Sequence, residues 1–320
     1  MKKLFKKAIS SILAFAIAIT AVAQLPLSEG IGLTGTAVMA AAETTIPDGY
    51  TPVYTMEDLY AIRSNTSGKY IIMNDIDMSG TAEGGEWDGG KGWTPIPEFS
   101  GTIDGAGHRL MNMNIFGSVG GYSGFIGKLF GTVQNIKFTN VDVNITSTTN
   151  YGTVAANSYG TITNCSVSGN INTRNGYIGG ICGYSCGAIS KCSVSGNIYT
   201  IYAHTGGICG YSYPSGSTDI YIKRCYNNST ITNSNTSGYT GGIVGYSKYY
   251  DYYISSYTCI SDCYNAGVIN ASSGNGGIVG GGYAKITDCV NFSDGRIAGA
   301  ANSVTTSYYL STATFGSSSY

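Results

Sequence analysis

The sequence predicts an all-β fold, a right-handed parallel β-helix (β-solenoid) with a short N-terminal helix capping the stack. Two observations point to this fold. A phrase of the form Gly-Gly-Ile-x-Gly-Tyr returns along the chain, and a second phrase, Ile-x-x-Cys, follows it. Such repetition is typical of like units stacked so that each covers the apolar face of the next. The right-handed sense follows the general rule for parallel crossover connections.

The first phrase sets the period of the stack. Clear copies occupy residues 179–184, 206–211, 241–246 and 276–280, and weaker copies occupy 123–127 and 151–155. The second position of each copy falls at residues 124, 152, 180, 207, 242 and 277, at intervals of 28, 28, 27, 35 and 35. The two longer units carry additions at 213–219 and 248–257, which we expect to leave the stack as loops on one side.

The second phrase supplies the strand pattern. It begins at Ile162, Ile189, Ile222, Ile260 and Ile286. In the first of these copies, every second residue from the cysteine is small or apolar: Cys165, Val167, Gly169 and Ile171. This spacing of two is that of a strand with one face turned inward. We therefore predict two short strands in each unit, separated by turns.

Stacking predicts columns of like side chains, because equivalent residues of a parallel stack lie about 4.8 Å apart. One column contains the cysteines of the second phrase: Cys165, Cys192, Cys225, Cys263 and Cys289. A second column, two residues later, contains Asn227, Asn265 and Asn291. Amides stacked in this way bond from coil to coil and satisfy buried polar groups.

The nine cysteines leave two interpretations open. Stacked neighbours have a Cα separation that suits a disulfide. Buried free thiols are favoured, because five cysteines share a repeat position that otherwise takes a small apolar side chain. A zinc site is not expected, since Cys182 and Cys186 have no second pair at matching spacing. No metal or cofactor is predicted.

The chain divides into four segments. Residues 1–42 read as a signal peptide, with four lysines before an apolar run from Ile12 to Ala23 that is too short to span a bilayer. Residues 43–116 form an N-terminal cap and the first irregular coils, in which Thr55 caps a helix through about Arg63. Residues 117–297 are the repeat solenoid, and 298–320 are the last coil and tail. No membrane span is expected after leader removal.

Charge and composition restrict the partners. Only 11% of residues are charged, and net charge is −1, or about −4 without the leader. This argues against a nucleic-acid partner. The chain contains 27 tyrosines, and the second insertion is rich in them. The candidate ligand-binding residues are Tyr249, Tyr250, Tyr252, Tyr253 and Tyr257. Tyrosine suits sugar or protein binding, although the same loop could fold back over apolar surface of the solenoid.

The two phrases together resemble the GLUG-motif repeats of bacterial secreted and surface proteins. The matching residues are 179–198, 206–231, 241–269 and 276–297, with poorer matches at 123–143 and 151–171. The resemblance implies a parallel β-solenoid and an extracellular setting, often in adhesin-like proteins. Such repeats also occur beside catalytic domains, including metalloproteases that cut immunoglobulin A, but this chain contains no His-Glu-x-x-His motif.

Two functional hypotheses follow. The first is a secreted or cell-surface, non-catalytic, adhesin-like protein that displays loops for binding a glycan, a host protein or a cell-wall polymer. The alternative is a carbohydrate-active enzyme, a polysaccharide lyase or glycoside hydrolase built on the same solenoid. Its candidate residues precede the repeats: Asp75, Asp77, Glu83, Glu86, Asp88, Glu98, Asp104 and His108. Turn capping by these carboxylates is the simpler interpretation.

Overall fold

The computed structural model describes residues 45–117, 120–147, 150–201, 203–216, 218–234, 238–249, 256–272, 274–293 and 296–299, and the backbone of 303–305 and 308–309. The predicted signal peptide lies outside these residues. The prediction of the fold class is confirmed: over these described residues the chain is an all-β parallel solenoid of about seven turns with one short α-helix.

Four sheets run along the solenoid, and strands of neighbouring coils pair in parallel. Sheet A consists of β1 (Thr51–Val53), β2 (Lys69–Ile72), β5 (Thr102–Asp104), β10 (Thr132–Gln134), β14 (Thr161–Thr163), β18 (Ala188–Ser190), β22 (Ile220–Lys223), β26 (Thr258–Ser261), β31 (Ala284–Thr287) and β33 (Ser303–Thr305). Sheet B consists of β3 (Ile76–Asp77), β6 (Arg109–Met111), β7 (Asn114–Gly117), β11 (Lys137–Ile145), β15 (Ser166–Thr173), β19 (Ser193–Thr200), β23 (Tyr226–Asn233), β27 (Tyr264–Asn265), β28 (Ile269–Ala271), β32 (Val290–Asn291) and β34 (Tyr308–Tyr309). Sheet C consists of β4 (Ile96–Phe99), β9 (Ile126–Leu129), β13 (Ala155–Ser158), β17 (Cys182–Ser185), β21 (Cys209–Ser212), β25 (Val244–Ser247) and β30 (Val279–Gly282). Sheet D consists of β8 (Tyr122–Ser123), β12 (Asn150–Gly152), β16 (Gly176–Gly179), β20 (Ala203–Gly206), β24 (Thr240–Gly241) and β29 (Asn275–Gly276).

A regular coil contains four strands, in the order sheet A, sheet B, sheet D, sheet C. The prediction of two strands per unit was therefore wrong. Each phrase contains a corner, a turn at which the backbone passes from one sheet to the next. The alternation of apolar and polar residues does not reveal it. The Gly-Gly-Ile phrase turns between β16 and β17, and the Ile-x-x-Cys phrase turns between β14 and β15. A residue at a corner can point inward just as a strand residue does, so the inward pattern runs on through the turn.

The corner between sheets A and B uses one left-handed residue in each coil. The residue before each column cysteine has a positive φ of 50° to 56°, and these residues are Asn164, Lys191, Arg224, Asp262 and Asp288. Asparagine and aspartate adopt this conformation at the lowest cost among residues with a side chain. The lysine and arginine show that the stack imposes the corner even on residues that do not favour it.

The core is built of columns that stay in register from coil to coil. Val167 pairs with Val194, and Ile171 pairs with Ile198. The isoleucines that open the second phrase are fully buried: Ile162, Ile189, Ile222, Ile260 and Ile286. Burying one such side chain contributes about 1.5–3 kcal/mol, so a column of them is a large part of the driving force for stacking.

The N-terminal end is covered by helix α1 (Met56–Ala61), which continues as a 3₁₀ turn at Ile62–Ser64. Thr55 and Asp58 form a reciprocal capping box: the Asp58 N–H donates to Thr55 Oγ1, and the Thr55 N–H donates to Asp58 Oδ2. Leu59 and Ile62 are fully buried in the core, so the helix covers the first coil as expected. No helix within the described ranges is long and apolar enough to cross a membrane.

Candidate functional site

The predicted tyrosine loop is described only at its two ends. The rings of Tyr249 and Tyr257 lie 5.3 Å apart, and the Tyr249 ring lies 5.9 Å from that of Tyr283. Lys285 Nζ lies 4.2 Å from the centre of the Tyr257 ring. Both tyrosines are partly buried. Tyr250, Tyr252 and Tyr253 lie outside the described residues. The ends of the insertion thus pack back against the solenoid, which is the alternative that the sequence left open.

A larger aromatic cluster lies on sheets C and D, and we call it the aromatic face. Three tyrosines of the face end the first phrase on sheet C, and two tyrosines and a histidine lie on sheet D. The six residues are Tyr177, Tyr184, His204, Tyr211, Tyr239 and Tyr246. They span three consecutive coils, with one sheet D residue and one sheet C residue in each.

The six rings interlock as two columns. On sheet C the ring centres of Tyr184 and Tyr211 are 5.6 Å apart, and those of Tyr211 and Tyr246 are 5.4 Å apart. On sheet D, His204 lies 5.8 Å from Tyr177 and 5.5 Å from Tyr239. The columns meet most closely between Tyr177 and Tyr211, at 4.3 Å. Stacking along the axis covers the ring faces and leaves the ring edges and hydroxyls as the accessible parts.

Glycine makes this interlocking possible. A Cβ on Gly183 would lie 2.6 Å from the Tyr177 carbonyl oxygen, and one on Gly210 would lie 2.3 Å from the Ile178 nitrogen. No side chain fits at such distances. The strands of sheets C and D can therefore approach each other at these positions only because glycine precedes each sheet C tyrosine.

The tyrosine hydroxyls of the face are hydrogen-bond donors. Across the described part of the chain, those of Tyr177, Tyr211, Tyr239 and Tyr246 have no hydrogen-bond partner, and they are not buried polar atoms. Burial raises the pKa of Tyr211 and of Tyr246, and neighbouring tyrosines raise both further. Burial therefore keeps the hydroxyls of Tyr211 and Tyr246 protonated at physiological pH, as hydrogen-bond donors available to a ligand.

His204 is held neutral within the face. Its Nδ1 accepts a hydrogen bond from the Tyr239 backbone N–H at 3.2 Å, and burial lowers the pKa of the imidazole. The folded state thus favours the uncharged ring, whereas the unfolded chain titrates near 6.5.

We predict a pH dependence of stability from His204. Because its folded pKa is depressed, its contribution is complete above about pH 6.5 and is lost as the pH falls toward the folded pKa. Urea midpoints at about pH 7.5 and about pH 5 measure this loss, which should be smaller in His204→Phe than in the wild type. The carboxylates with lowered pKa, Asp75, Asp77 and Asp219, titrate below this window and affect both proteins equally. Equal losses in the two proteins would contradict the prediction.

Polar side chains continue the face toward the N-terminus. In register with Tyr184 on sheet C lie Asn157, then Lys128, then Glu98. Asn150 Nδ2 donates to Asn157 Oδ1 at 3.0 Å. Lys128 Nζ donates to Glu98 Oε1 at 2.7 Å, so these two charges neutralise each other.

Exposed rings border the face at the corner between sheets C and A. Phe130 and Tyr159 stack at 5.1 Å and are 50% and 42% exposed. Tyr213 lies 6.4 Å from Tyr184, and Lys248 Nζ lies 5.1 Å from the centre of the Tyr213 ring. Lys248 immediately precedes Tyr249, so the tyrosine insertion begins at the edge of the aromatic face.

The asparagines that the sequence places in one column are joined by hydrogen bonds. Asn227 Nδ2 donates to Asn265 Oδ1, and Asn265 Nδ2 donates to Asn291 Oδ1, each at 2.8 Å. All three are fully buried. In the preceding coils Val194 and Val167 occupy the same register.

The five column cysteines are buried free thiols. Each Sγ donates to the carbonyl two residues earlier at 3.2–3.5 Å, a contact that uses the thiol hydrogen. Burial raises the pKa of Cys192 and Cys263. A second pair, Cys182 and Cys209, aligns in the same way on sheet C.

This arrangement predicts the reactivity of the thiols. Seven cysteines are buried, and only Cys186 and Cys259 are partly exposed. Burial raises the pKa of both, that of Cys259 to about 11 with the help of Asp219. A disulfide-exchange reagent at neutral pH should therefore label at most these two thiols slowly in the native protein, and all nine after unfolding in denaturant. Fewer than nine reactive thiols in the unfolded, non-reduced protein would show that disulfides are present.

The acidic candidates for catalysis are dispersed in separate contacts. Asp75 pairs with Arg109, with Oδ2 2.6 Å from a guanidinium nitrogen. Asp77 Oδ1 accepts from the Asn112 amide at 2.8 Å. Asp88 accepts from Tyr60, Asp104 accepts from Gln134 and Asn135, and Glu98 pairs with Lys128. These carboxylates act as turn and corner partners in the described structure. No group of three or more metal-ligating side chains occurs in the described ranges.

The comparisons with known proteins agree with the fold. No family model matches the chain, so the GLUG resemblance stays an expectation. An alignment of 141 positions that covers 41% of the chain is 36% identical to halomucin of Haloquadratum walsbyi, and it covers 2% of that protein. A crystal structure from Bacteroides ovatus, provisionally named an immunoglobulin A1 protease, superposes with a TM-score of 0.60 at 20% identity, covering 81% of this chain and 84% of that one. This likeness shows the fold alone.

A second solved structure, an IgA1 protease, superposes with a TM-score of 0.38 at 15% identity over 72% of this chain and 21% of that one. A match this weak supports no argument about function. The chain therefore spans a small part of halomucin and of this protease.

Sequence reasoning missed the aromatic face, although half of its signal was visible. Tyr184, Tyr211 and Tyr246 end three copies of the first phrase. Their stacking follows from the period alone. The sheet D column was hidden because Tyr177, His204 and Tyr239 precede the phrase at a position where no single residue type recurs.

Proposed function

We propose that this protein is a secreted or cell-surface glycan-binding protein that acts by binding rather than by catalysis, and that the aromatic face is its contact surface. The observation that supports the proposal is the interlocked set of six rings on sheets C and D. Within the described residues, it presents the hydroxyls of Tyr177, Tyr211, Tyr239 and Tyr246 without protein partners on the outside of the solenoid. The ring edges and hydroxyl donors of this surface suit the hydroxyl and ring-oxygen groups of sugars.

The likeness to halomucin supports the location. The chain is 36% identical to that protein over 141 residues, and the word mucin in its name denotes an extracellular protein. The tyrosine insertion fits the same proposal as an extension of the face, because Tyr249 follows Lys248 at the edge of the aromatic cluster. We keep the tyrosines of this insertion, Tyr249, Tyr250, Tyr252, Tyr253 and Tyr257, as candidate ligand contacts beside the aromatic face.

Binding assays on uncharged polysaccharides test the proposal. Sedimentation with insoluble cellulose, chitin, xylan and mannan should retain the wild-type protein on at least one of them. The triple variant Tyr177→Phe, Tyr211→Phe, Tyr246→Phe keeps the ring packing and removes three hydroxyls, so it should lose most of this binding. Exposed tyrosines on other sheets give a matched control, the variant Tyr221→Phe, Tyr226→Phe.

Two further measurements separate the alternatives. Alanine at Tyr249, Tyr250, Tyr252 and Tyr253 should weaken binding less than the face variant if the loop only extends the face. Release of reducing ends from the bound polysaccharide would instead favour the carbohydrate-active enzyme. Unchanged binding in the face variant, or no binding of the wild type to any of the four polymers, would refute the proposal.

A further inference from the structure

We infer that the ligand of the aromatic face is an extended, uncharged 1,4-linked glycan that lies parallel to the solenoid axis, with one sugar unit opposite each coil. This inference rests on the proposed function and names its ligand class. It is drawn from the period, direction and charge of the face.

The period of the face matches such a chain. Like rings in successive coils are 5.4–5.8 Å apart on both sheets. The coil repeat along the axis is about 4.8 Å. The length that one pyranose ring and its bridging oxygen add to an extended chain with equatorial 1,4 linkages lies between these two distances. Each sugar would therefore meet the same pair of side chains, one from sheet D and one from sheet C. A helical glycan, such as an α-1,4-linked chain, curves away from a straight row of this kind.

The direction follows from the two columns. Tyr177 and Tyr184 lie 5.9 Å apart across one coil, and Tyr239 and Tyr246 lie 5.0 Å apart across another. The face is thus two side chains wide and several coils long. A ligand that uses most of it must be narrow and run along the axis.

Five coils contribute polar or aromatic pairs in one continuous register. The N-terminal pairs are Tyr122 with Lys128 and Asn150 with Asn157, and the three aromatic pairs follow. In the coil after these pairs, Gly281 is the residue in register with Tyr246. The Tyr239 ring covers Gly281, because a Cβ at that position would lie 2.3 Å from Tyr239 Cδ1. The row of side-chain pairs therefore ends at Tyr239 and Tyr246. About five sugar units of the glycan can contact the face.

The charge of the face selects a neutral glycan. The four coils from Asn150 and Asn157 to Tyr239 and Tyr246 contribute no charged residue to either column, because burial keeps His204 neutral. Lys128 is paired with Glu98 at 2.7 Å and so offers no net charge to an acidic sugar. An anionic chain would lose hydration on this surface without gaining an ion pair.

Titration calorimetry with oligosaccharides of increasing length tests the inference. Cello-, chito-, xylo- and manno-oligosaccharides of two to six units are the probes, with maltohexaose as the helical control and an oligogalacturonate as the acidic control. For at least one β-1,4 series we expect affinity to rise about two- to tenfold with each unit up to about five, and then to level off, since each coil adds about one hydrogen bond. The maltohexaose and oligogalacturonate should bind more weakly than the β-1,4 hexamer.

Variants locate the two ends of the ligand. Tyr246→Phe should remove the gain from the last unit of a pentamer and leave binding of a trimer less affected than Tyr211→Phe does. Full affinity with a disaccharide, or equal binding of maltohexaose, would overturn the inference. It would leave the proposed function intact as long as the triple face variant still loses binding to the insoluble polymers. Failure of that variant to reduce polymer binding would instead overturn the proposed function.

Discussion

Asn265→Ala should lower the free energy of unfolding by about 2–5 kcal/mol, because it breaks the buried amide column in the middle. Asn265 accepts from Asn227 Nδ2 and donates to Asn291 Oδ1 at 2.8 Å. Its Oδ1 also accepts from the Gly267 N–H at 3.2 Å. Alanine removes all of these bonds in a region with no exposure to water, and it leaves a cavity. Urea denaturation followed by circular dichroism measures the change.

Two comparison variants make this prediction specific. Asn228→Ala changes an exposed neighbour of the column and should alter stability by no more than about 0.5 kcal/mol. Valine at Asn227, Asn265 and Asn291 together should cost less than alanine at Asn265 alone, since replacing all partners of a buried network leaves fewer amides unsatisfied. Val167 and Val194 already occupy this register in earlier coils. A wild-type urea midpoint for Asn265→Ala would show that the column does not hold the coils together.

Gly242→Ala should destabilise the protein by about 3 kcal/mol or more through a collision with the next coil. A Cβ at Gly242 would lie 2.1 Å from the Gly277 carbonyl oxygen and 2.3 Å from Asn265 Cγ. Neither group can move alone, because the first belongs to the backbone of a paired coil and the second to the amide column. The coils would have to separate locally and lose core contacts.

Gly120→Ala is the matched control for this substitution. It makes the same chemical change at a glycine where the added Cβ has open space around it. Its urea midpoint should stay within about 0.5 kcal/mol of the wild type. Because coils can unfold one by one in a repeat stack, hydrogen exchange of the amides near residues 240–280 gives a second readout. Uniform protection in Gly242→Ala would contradict the prediction.

The parts of the fold that the sequence predicted are those that depend on periodicity. The interval between phrases predicts parallel coils, and the alternation after Cys165 predicts an inward face. Both hold because a stack in register forces equivalent residues into one column. The capping helix could be predicted as well, since the Thr55 and Asp58 pair is a local signal.

The number of strands and the aromatic face could not be read in the same way. Corners depend on backbone angles, and Lys191 and Arg224 adopt the left-handed angle without any preference that a sequence pattern shows. The face depends on contact between two sheets, so Tyr177 and Tyr211 meet although 33 residues separate them along the chain, as their positions show. Only the sheet C half of the site follows from the repeat.

The insertions after β21 and β25 leave the register on either side unchanged: Tyr211 still pairs with Tyr246, and Ile222 still pairs with Ile260. Evolution can thus lengthen or shorten these excursions, or duplicate an entire turn, without redesigning the interior. The length of the loops and the number of coils can therefore change without loss of folding. One ancestral repeat unit can in this way give rise to proteins of many sizes.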